Sequence, residues 1–257
     1  MNQPFWIGNK GSEIDKTFRE NLMLWANGKS TREEAMAACD EMRDKILKDE
    51  VSSTKVVGNV EETFTEMETG LYFAELFRQE MGADVGLCLS NSRESGINFK
   101  LYAGEIQYGG TGGLDFYLER NFLNHVTDDR TKQGQLLMMT LTGEQQLDVL
   151  NEPPNVRELY QDGYYVVSGL TVTFAPWAGA GKRYVSVKEA DGSELNPDGD
   201  YTVAFWKGSV LENLVQEIQA SSKKTAAELL SGDLAAKGPI SPSSDRLFHL
   251  DWELIQK

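Results

Sequence analysis

The sequence predicts an α/β (α+β) fold, with layered mixed β-sheets, flanking helices and an N-terminal helical appendage. Three observations carry this. Apolar residues recur at three-to-four spacing through the first fifty positions. The apolar run Val85-Gly-Leu-Cys-Leu89 follows a helical pattern and reads as a buried strand. From Tyr164 to Phe205, segments rich in Val, Tyr and Thr alternate with turn residues.

Residues 1–50 form the appendage, a helical hairpin, and 51–257 the main domain. A first helix spans 15–26, with Phe18, Leu22 and Trp25 on one face, and Asn27-Gly28 stops it. Thr31-Arg-Glu-Glu34 is a capping-box pattern, in which Thr and the Glu three positions later satisfy exposed helix N–H groups. Behind it, Ala35, Cys39, Met42 and Ile46 make one apolar stripe. The hairpin packs on the main body or on a partner domain, and the body is the favoured choice.

In the main domain a short strand starts at Val56-Val57, and a helix over 69–81 places Leu71, Ala74, Phe77 and Arg78 at helical spacing. A buried strand covers 84–89. A polar loop and a Gly-Ile step then lead into a second ordered segment ending at Ala103-Gly104-Glu105-Ile106. Tyr-Gly-Gly-Thr-Gly-Gly at 108–113 is a flexible loop; without a following Gly-Lys-Ser/Thr it is no phosphate cradle. A strand at 136–141 leads through Thr142-Gly143 into a helix ending at Leu150, before Pro153-Pro154. Strands follow at 164–174, 183–188 and 201–205, with turns at Asp191-Gly192 and Pro197-Asp-Gly199. Helices at 211–220 and 225–230 and an extended piece over 240–255 complete the reading.

Forty acidic residues against twenty-five basic ones give a formal charge of −15. That balance disfavours nucleic acid and anionic membranes as partners, because counterion release needs clustered cations. A hydrophobic fraction of 40% is enough for a sizeable core. No apolar stretch approaches membrane-spanning length, and the ends carry no basic-then-apolar signal pattern. The chain fits either a cytosolic protein or a trimmed exported one. Cys39 and Cys88 are the only cysteines, too few for a disulfide framework or a zinc site, and Cys88 reads as a small buried hydrophobe.

Chemistry is hard to place. His125 and His249 are the two histidines, far apart and without flanking Asp or Asn ligands, so two-metal hydrolysis finds no ligand set. No Gly-x-Ser-x-Gly elbow occurs. No catalytic residue is assigned, and no cofactor is expected in this chain.

Several stretches nonetheless keep company in order. They are Gly70-Leu-Tyr-Phe-Ala74-Glu75, Ser95-Gly96-Ile97-Asn98, Gly104-Glu105-Ile106-Gln107, Leu141-Thr142-Gly143, Ser168-Gly169-Leu170, the Asp191-Gly192 to Ala204 series, and Lys237-Gly-Pro-Ile240 through Asp245-Arg246. Together they resemble the C-terminal, substrate-specificity domain of secreted 5′-nucleotidases, over about residues 56 to 255. The resemblance implies that fold, a secreted or cell-surface location and a nucleotide or other small molecule as ligand. It also implies a separate metallophosphoesterase domain, in cis or trans, that carries the divalent metals. Within this chain it points to Asn91, Arg93 and Asn98 in one loop, and to Phe205 and Trp206, as substrate-binding residues.

The departures bear on the ligand. Asn98 stands where the family carries an arginine that contacts the nucleotide, a neutral amide in place of a charged fork. Losing such a contact costs about 1.5–3 kcal/mol. Of the two rings that stack the base in the family, the first position reads Val167. The second falls on Phe205-Trp206-Lys207-Gly208, without the family's Gly-Gly-Asp-Gly-Tyr tail. Phe205 or Trp206 either stacks a base, worth about 1–3 kcal/mol, or is a core or edge-strand aromatic. The sequence therefore suggests the recognition half of a nucleotide-hydrolysing enzyme, inactive alone. The alternative is a non-catalytic small-molecule-binding or cell-surface interaction module on the same fold.

Overall fold

The computed structural model describes residues 11–90, 96–109, 113–122, 135–151, 163–175, 177–179, 181–206, 217–243 and 252–254. The chain separates into two compact units, one of residues 1–57 with 106–117 and one of 58–105 with 118–257.

The first unit is built on a helical hairpin, α1 (Gly11–Ala26) and α2 (Arg32–Ser53). Gly28, at φ 66°, takes the left-handed conformation that ends α1. Thr31 and Glu34 close the capping box reciprocally, at 2.8 and 3.1 Å. Ala35 is buried, while Phe18, Leu22 and Trp25 remain 47, 42 and 45% exposed.

The second unit holds most of the sheet structure. Strands β1 (Lys55–Val60) and β3 (Gly104–Tyr108), which the unit boundary divides, form a two-stranded ribbon. Between them run α3 (Glu66–Met81) and β2 (Val85–Ser90). Helix α3 starts three residues before the periodicity suggests, because Thr65 and Glu68 form a second capping box. Helix α4 (Leu114–Asn121) follows the glycine-rich stretch, where the sequence suggests only a loop.

The remaining elements are β4 (Leu136–Thr142), α5 (Gly143–Asn151), β5 (Tyr164–Ser168), β6 (Leu170–Phe174), β7 (Tyr184–Glu189), β8 (Asp200–Trp206), β9 (Ile218–Ser222), α6 (Ala226–Lys237) and β10 (Trp252–Leu254). Two expectations are corrected here. The run 164–174 is two strands in different sheets, broken at Gly169 (φ 91°), where an added Cβ would stand 2.1 Å from the Asp84 carbonyl oxygen. Residues 218–220 belong to strand β9 and not to a helix, because they pair antiparallel with β4. Local propensity yields there to an open sheet edge.

The larger sheet has the order β5-β2-β8-β4-β9, the smaller β10-β6-β7. Side-chain alternation divides the larger sheet's two faces. Val85, Leu87, Leu89, Leu137, Met139, Leu141, Val203 and Phe205 join Val172, Phe174 and Val187 of the smaller sheet in one apolar core. On the opposite face lies α3, brought close by glycine. A Cβ on Gly86 would stand 2.0 Å from the Ala74 carbonyl oxygen. Helix α6 joins that layer, where Tyr72 donates to Asp233 Oδ2 at 2.8 Å. Among the described residues no helix is long and apolar enough to cross a membrane.

Candidate functional site

Strands β2 and β8 are neighbours and run parallel, with Val85 opposite Val203 and Leu87 opposite Phe205. Their carboxyl ends therefore reach the same edge of the larger sheet. The antiparallel neighbours begin there, Tyr164 of β5 opposite Ser90 and Leu136 of β4 opposite Trp206. In open α/β sheets this is the edge at which ligands are taken up.

Asn98 lies at that edge. The chain returns to β2 at Ile97, whose N–H donates to the Leu89 carbonyl at 2.8 Å, and Ile97 bridges Ser90 in parallel. Gly96 makes the return possible, since a Cβ there would stand 1.9 Å from the Leu89 oxygen. Ile97 is wholly buried and Asn98, the next residue, is exposed. Asn91 and Arg93 lie outside the described residues.

Phe205 and Trp206 reach the same edge along β8, but their rings turn into the protein, 0 and 3% exposed. Phe205 points into the core between the sheets. Trp206 points to the helical layer, with ring centroids 5.6 Å from Phe77 and 5.1 Å from Phe122, and its Nε1 donates to the Phe122 carbonyl at 2.7 Å. A central strand is covered on both faces, so neither ring offers a face to solvent.

The same edge carries residues that the sequence did not single out. Ser90 closes β2 and Tyr164 opens β5; the pairing that sets them opposite joins positions with no shared motif. The Tyr164 ring sits 4.9 Å from Phe174, with the Arg183 guanidinium 5.6 Å from its centroid. Arg183 donates to the carbonyls of Ala178 and Gly163, at 3.0 and 3.4 Å. Burial raises the Tyr164 phenol above its ordinary range; a hydrogen bond with Ser90 opposes this, Glu66 adds to it and Arg183 opposes it. The phenol is therefore a protonated donor at neutral pH.

A second polar cluster lies away from this edge. Glu75 accepts from both arms of Arg78, at 2.8 Å each, from Gln79 and from the Ser168 hydroxyl. Burial alone would raise the Glu75 carboxyl, but the bonds from Arg78, Ser168 and Gln79 outweigh it and hold the group below its ordinary range. Fully satisfied by its neighbours, this cluster is structural. Cys88 is buried among β2 residues, and desolvation pushes its thiol far up, leaving it inert at neutral pH.

Among the described residues no three His, Cys, Asp or Glu side chains come together, and His125 and His249 lie outside them.

A family profile for the 5′-nucleotidase C-terminal domain matches residues 50–214, more than half of the chain. Among solved structures, the sulfate thiohydrolase SoxB of Thermus thermophilus in complex with glycerol superposes with a TM-score of 0.56 at 17% identity, covering 88% of this chain and 39% of that one. A 5′-nucleotidase precursor, also from Thermus thermophilus, gives 0.53 at 15% identity, over 88% of this chain and 43% of that one. The NAD nucleotidase of Haemophilus influenzae gives 0.52 at 12%, over 87% and 41%. No curated protein sequence matches. The chain thus spans about two-fifths of the length of these structural relatives, whose likeness speaks for the fold alone. With its mixed sheets and flanking helices, the chain belongs to the 5′-nucleotidase C-terminal domain family.

Proposed function

We propose that this chain is the substrate-recognition half of a secreted 5′-nucleotidase-type hydrolase and is not catalytic alone. The observation that carries the reading is the shared edge of β2 and β8, where Asn98 stands exposed beside the buried anchor Ile97. Ligand contact falls to Asn91, Arg93 and Asn98, following the family pattern. Phe205 and Trp206 serve from beneath, as the packed end of β8. Chemistry and divalent metals belong to a metallophosphoesterase domain, in cis or trans. A secreted or cell-surface location follows the family and is tested by fractionating cells that express the native gene.

The test has two arms. With Mn²⁺ and AMP the purified chain releases no phosphate above a protein-free blank, and turnover by the chain alone would overturn the inactive-half reading. AMP at a hundred times its dissociation constant stabilises a binder by about 2.7 kcal/mol, or roughly 5–10 °C in midpoint. Absence of any shift with AMP, adenosine or ribose 5-phosphate sinks the recognition reading.

Two observations favour a second reading, a non-catalytic binding or cell-surface interaction module. Asn98 replaces the family's arginine, and both rings of the Phe205-Trp206 pair are sealed in the core. A silent ligand panel would put that reading first.

A further inference from the structure

The helical hairpin is firmly specified and yet encloses almost no core. Gly28 and the Thr31–Glu34 capping box fix its turn, but among the described residues of α1 and α2 Ala35 alone is buried. Most helical stability comes from packing an amphipathic face, and a helix pair without a core lacks that support. Along α1, Phe18, Leu22 and Trp25 recur at i, i+4 and i+7 and stand 47, 42 and 45% exposed. With side chains of about 200 Å² apiece, those fractions leave roughly 300 Å² of apolar surface on one stripe. That is the scale of the largest apolar patch on an ordinary monomer, commonly a functional one.

The stripe is complementary to itself. Aromatic, leucine, aromatic reads alike in both directions, so two antiparallel copies of α1 match ring to ring and leucine to leucine. About a two-fold axis beside Leu22, Phe18 of one copy meets Trp25 of the other. Charge permits the meeting here. The chain as a whole carries −15 and repels its own kind, but residues 11–29 hold three acidic and three basic side chains. Two stripes offer about 600 Å² of apolar area, close to the apolar share of the ~1,200 Å² at which stable interfaces begin. We propose that the α1 stripe is a homodimer face, on which two hairpins close into a four-helix bundle. An interface at the lower end of that range gives a dissociation constant of micromolar order.

Sedimentation velocity of the full chain between about 1 and 100 μM tests it, and the parent should pass from monomer to dimer across that range. Leu22→Glu exchanges one strong helix former for another and sets two like charges face to face at the axis. It should weaken dimerisation about tenfold or more, with the parent's circular dichroism at the dilute end. Trp25→Gln adds no charge and should act in the same direction, which keeps the test open if Leu22→Glu loses helix. Met23, 61% exposed, lies about 100° round the helix from Leu22. Met23→Glu makes the same apolar-to-acidic change off the stripe and should leave the dimer intact. A parent that stays monomeric throughout overturns the inference. Iodide quenching of Trp25, read against Trp25→Phe, then tells a bare stripe from one docked within its own chain. A dimer that survives both stripe variants, or that Met23→Glu weakens as much, overturns it too.

Discussion

The Ser168 hydroxyl of β5 donates to the Glu75 carboxylate of α3 across 93 positions of sequence. Both residues belong to motifs that mark the family, and their meeting ties the helical layer to the strand end just before Gly169. A carboxylate held by Arg78, Gln79 and Ser168 is a charge-assisted network, and its loss is felt as a unit. Glu75→Gln should lower unfolding free energy by about 1.5–3 kcal/mol, measured by urea denaturation. A double-mutant cycle with Ser168→Ala should show coupling; strict additivity would deny the contact any energetic role.

The same residue sets an acid limit. Its folded-state pKa lies below the ordinary glutamate value, so its stabilisation is present above the unfolded pKa of about 4.3 and lost as pH falls through the folded one. Stability of the parent chain should therefore fall below about pH 4 more steeply than that of Glu75→Gln. Parallel slopes in urea midpoints between pH 5 and pH 3 would count against this.

Gly86 admits no side chain. An alanine Cβ would meet the Ala74 carbonyl at 2.0 Å, and a helix backbone cannot step aside cheaply. Gly86→Ala should cost roughly 3 kcal/mol, at the upper end for overpacking. A thermal midpoint within 2–3 °C of the parent, under about 1 kcal/mol for a chain of this size, would show that α3 packs more loosely.

Trp206 should behave as a core indole. Difference spectra between the parent and Trp206→Phe should show blue-shifted emission that iodide does not quench, since the residue is 3% exposed and its Nε1–H is taken by Phe122. Trp206→Ala should cost about 3–5 kcal/mol as a large-to-small core change. Quenching by nucleotide would instead show a ring open to ligand.

Tyr72 and Asp233 join α3 to α6 in a buried bond of 2.8 Å. Tyr72→Phe should cost about 1 kcal/mol, because Lys237 still pairs with the carboxylate. An unaltered denaturation midpoint would mean the tyrosine hydroxyl contributes nothing net.

Much of the fold was legible because its motifs are packing junctions. Leu141-Thr142-Gly143 and Asn196 to Gly199 touch directly, through Gly143 N–H to the Gly199 carbonyl at 3.0 Å and Glu144 N–H to the Pro197 carbonyl at 3.0 Å. Ser168-Gly169 meets Glu75, and Gly96-Ile97 hooks onto Leu89. Such residues are fixed by close approach of backbone, which leaves a mark in sequence. Strand β9 left none, because Ile218–Ser222 is short, mixed in polarity and defined by its pairing with β4. The break at Gly169 was hidden by continuous β-forming residues on both sides. At the carboxyl end of β2, Ser90 and Tyr164 become neighbours only through ladder register, which no local pattern encodes. Phe205 and Trp206 show the complementary difficulty, since aromatic residues at a strand end read alike whether they face ligand or core.

The parallel pairing of β2 with β8 has a consequence for how the molecule is made. Asp84 and Thr202, locked by hydrogen bonds at 2.6–2.9 Å, stand 118 residues apart. Most of the chain must leave the ribosome before the centre of the larger sheet can close, and until then β2 waits with one edge open. Such long-range closure slows folding and leaves an intermediate exposed to association. Truncation ahead of Asp200 removes the strand that separates β2 from β4, so early termination there would yield aggregate in place of a smaller folded domain.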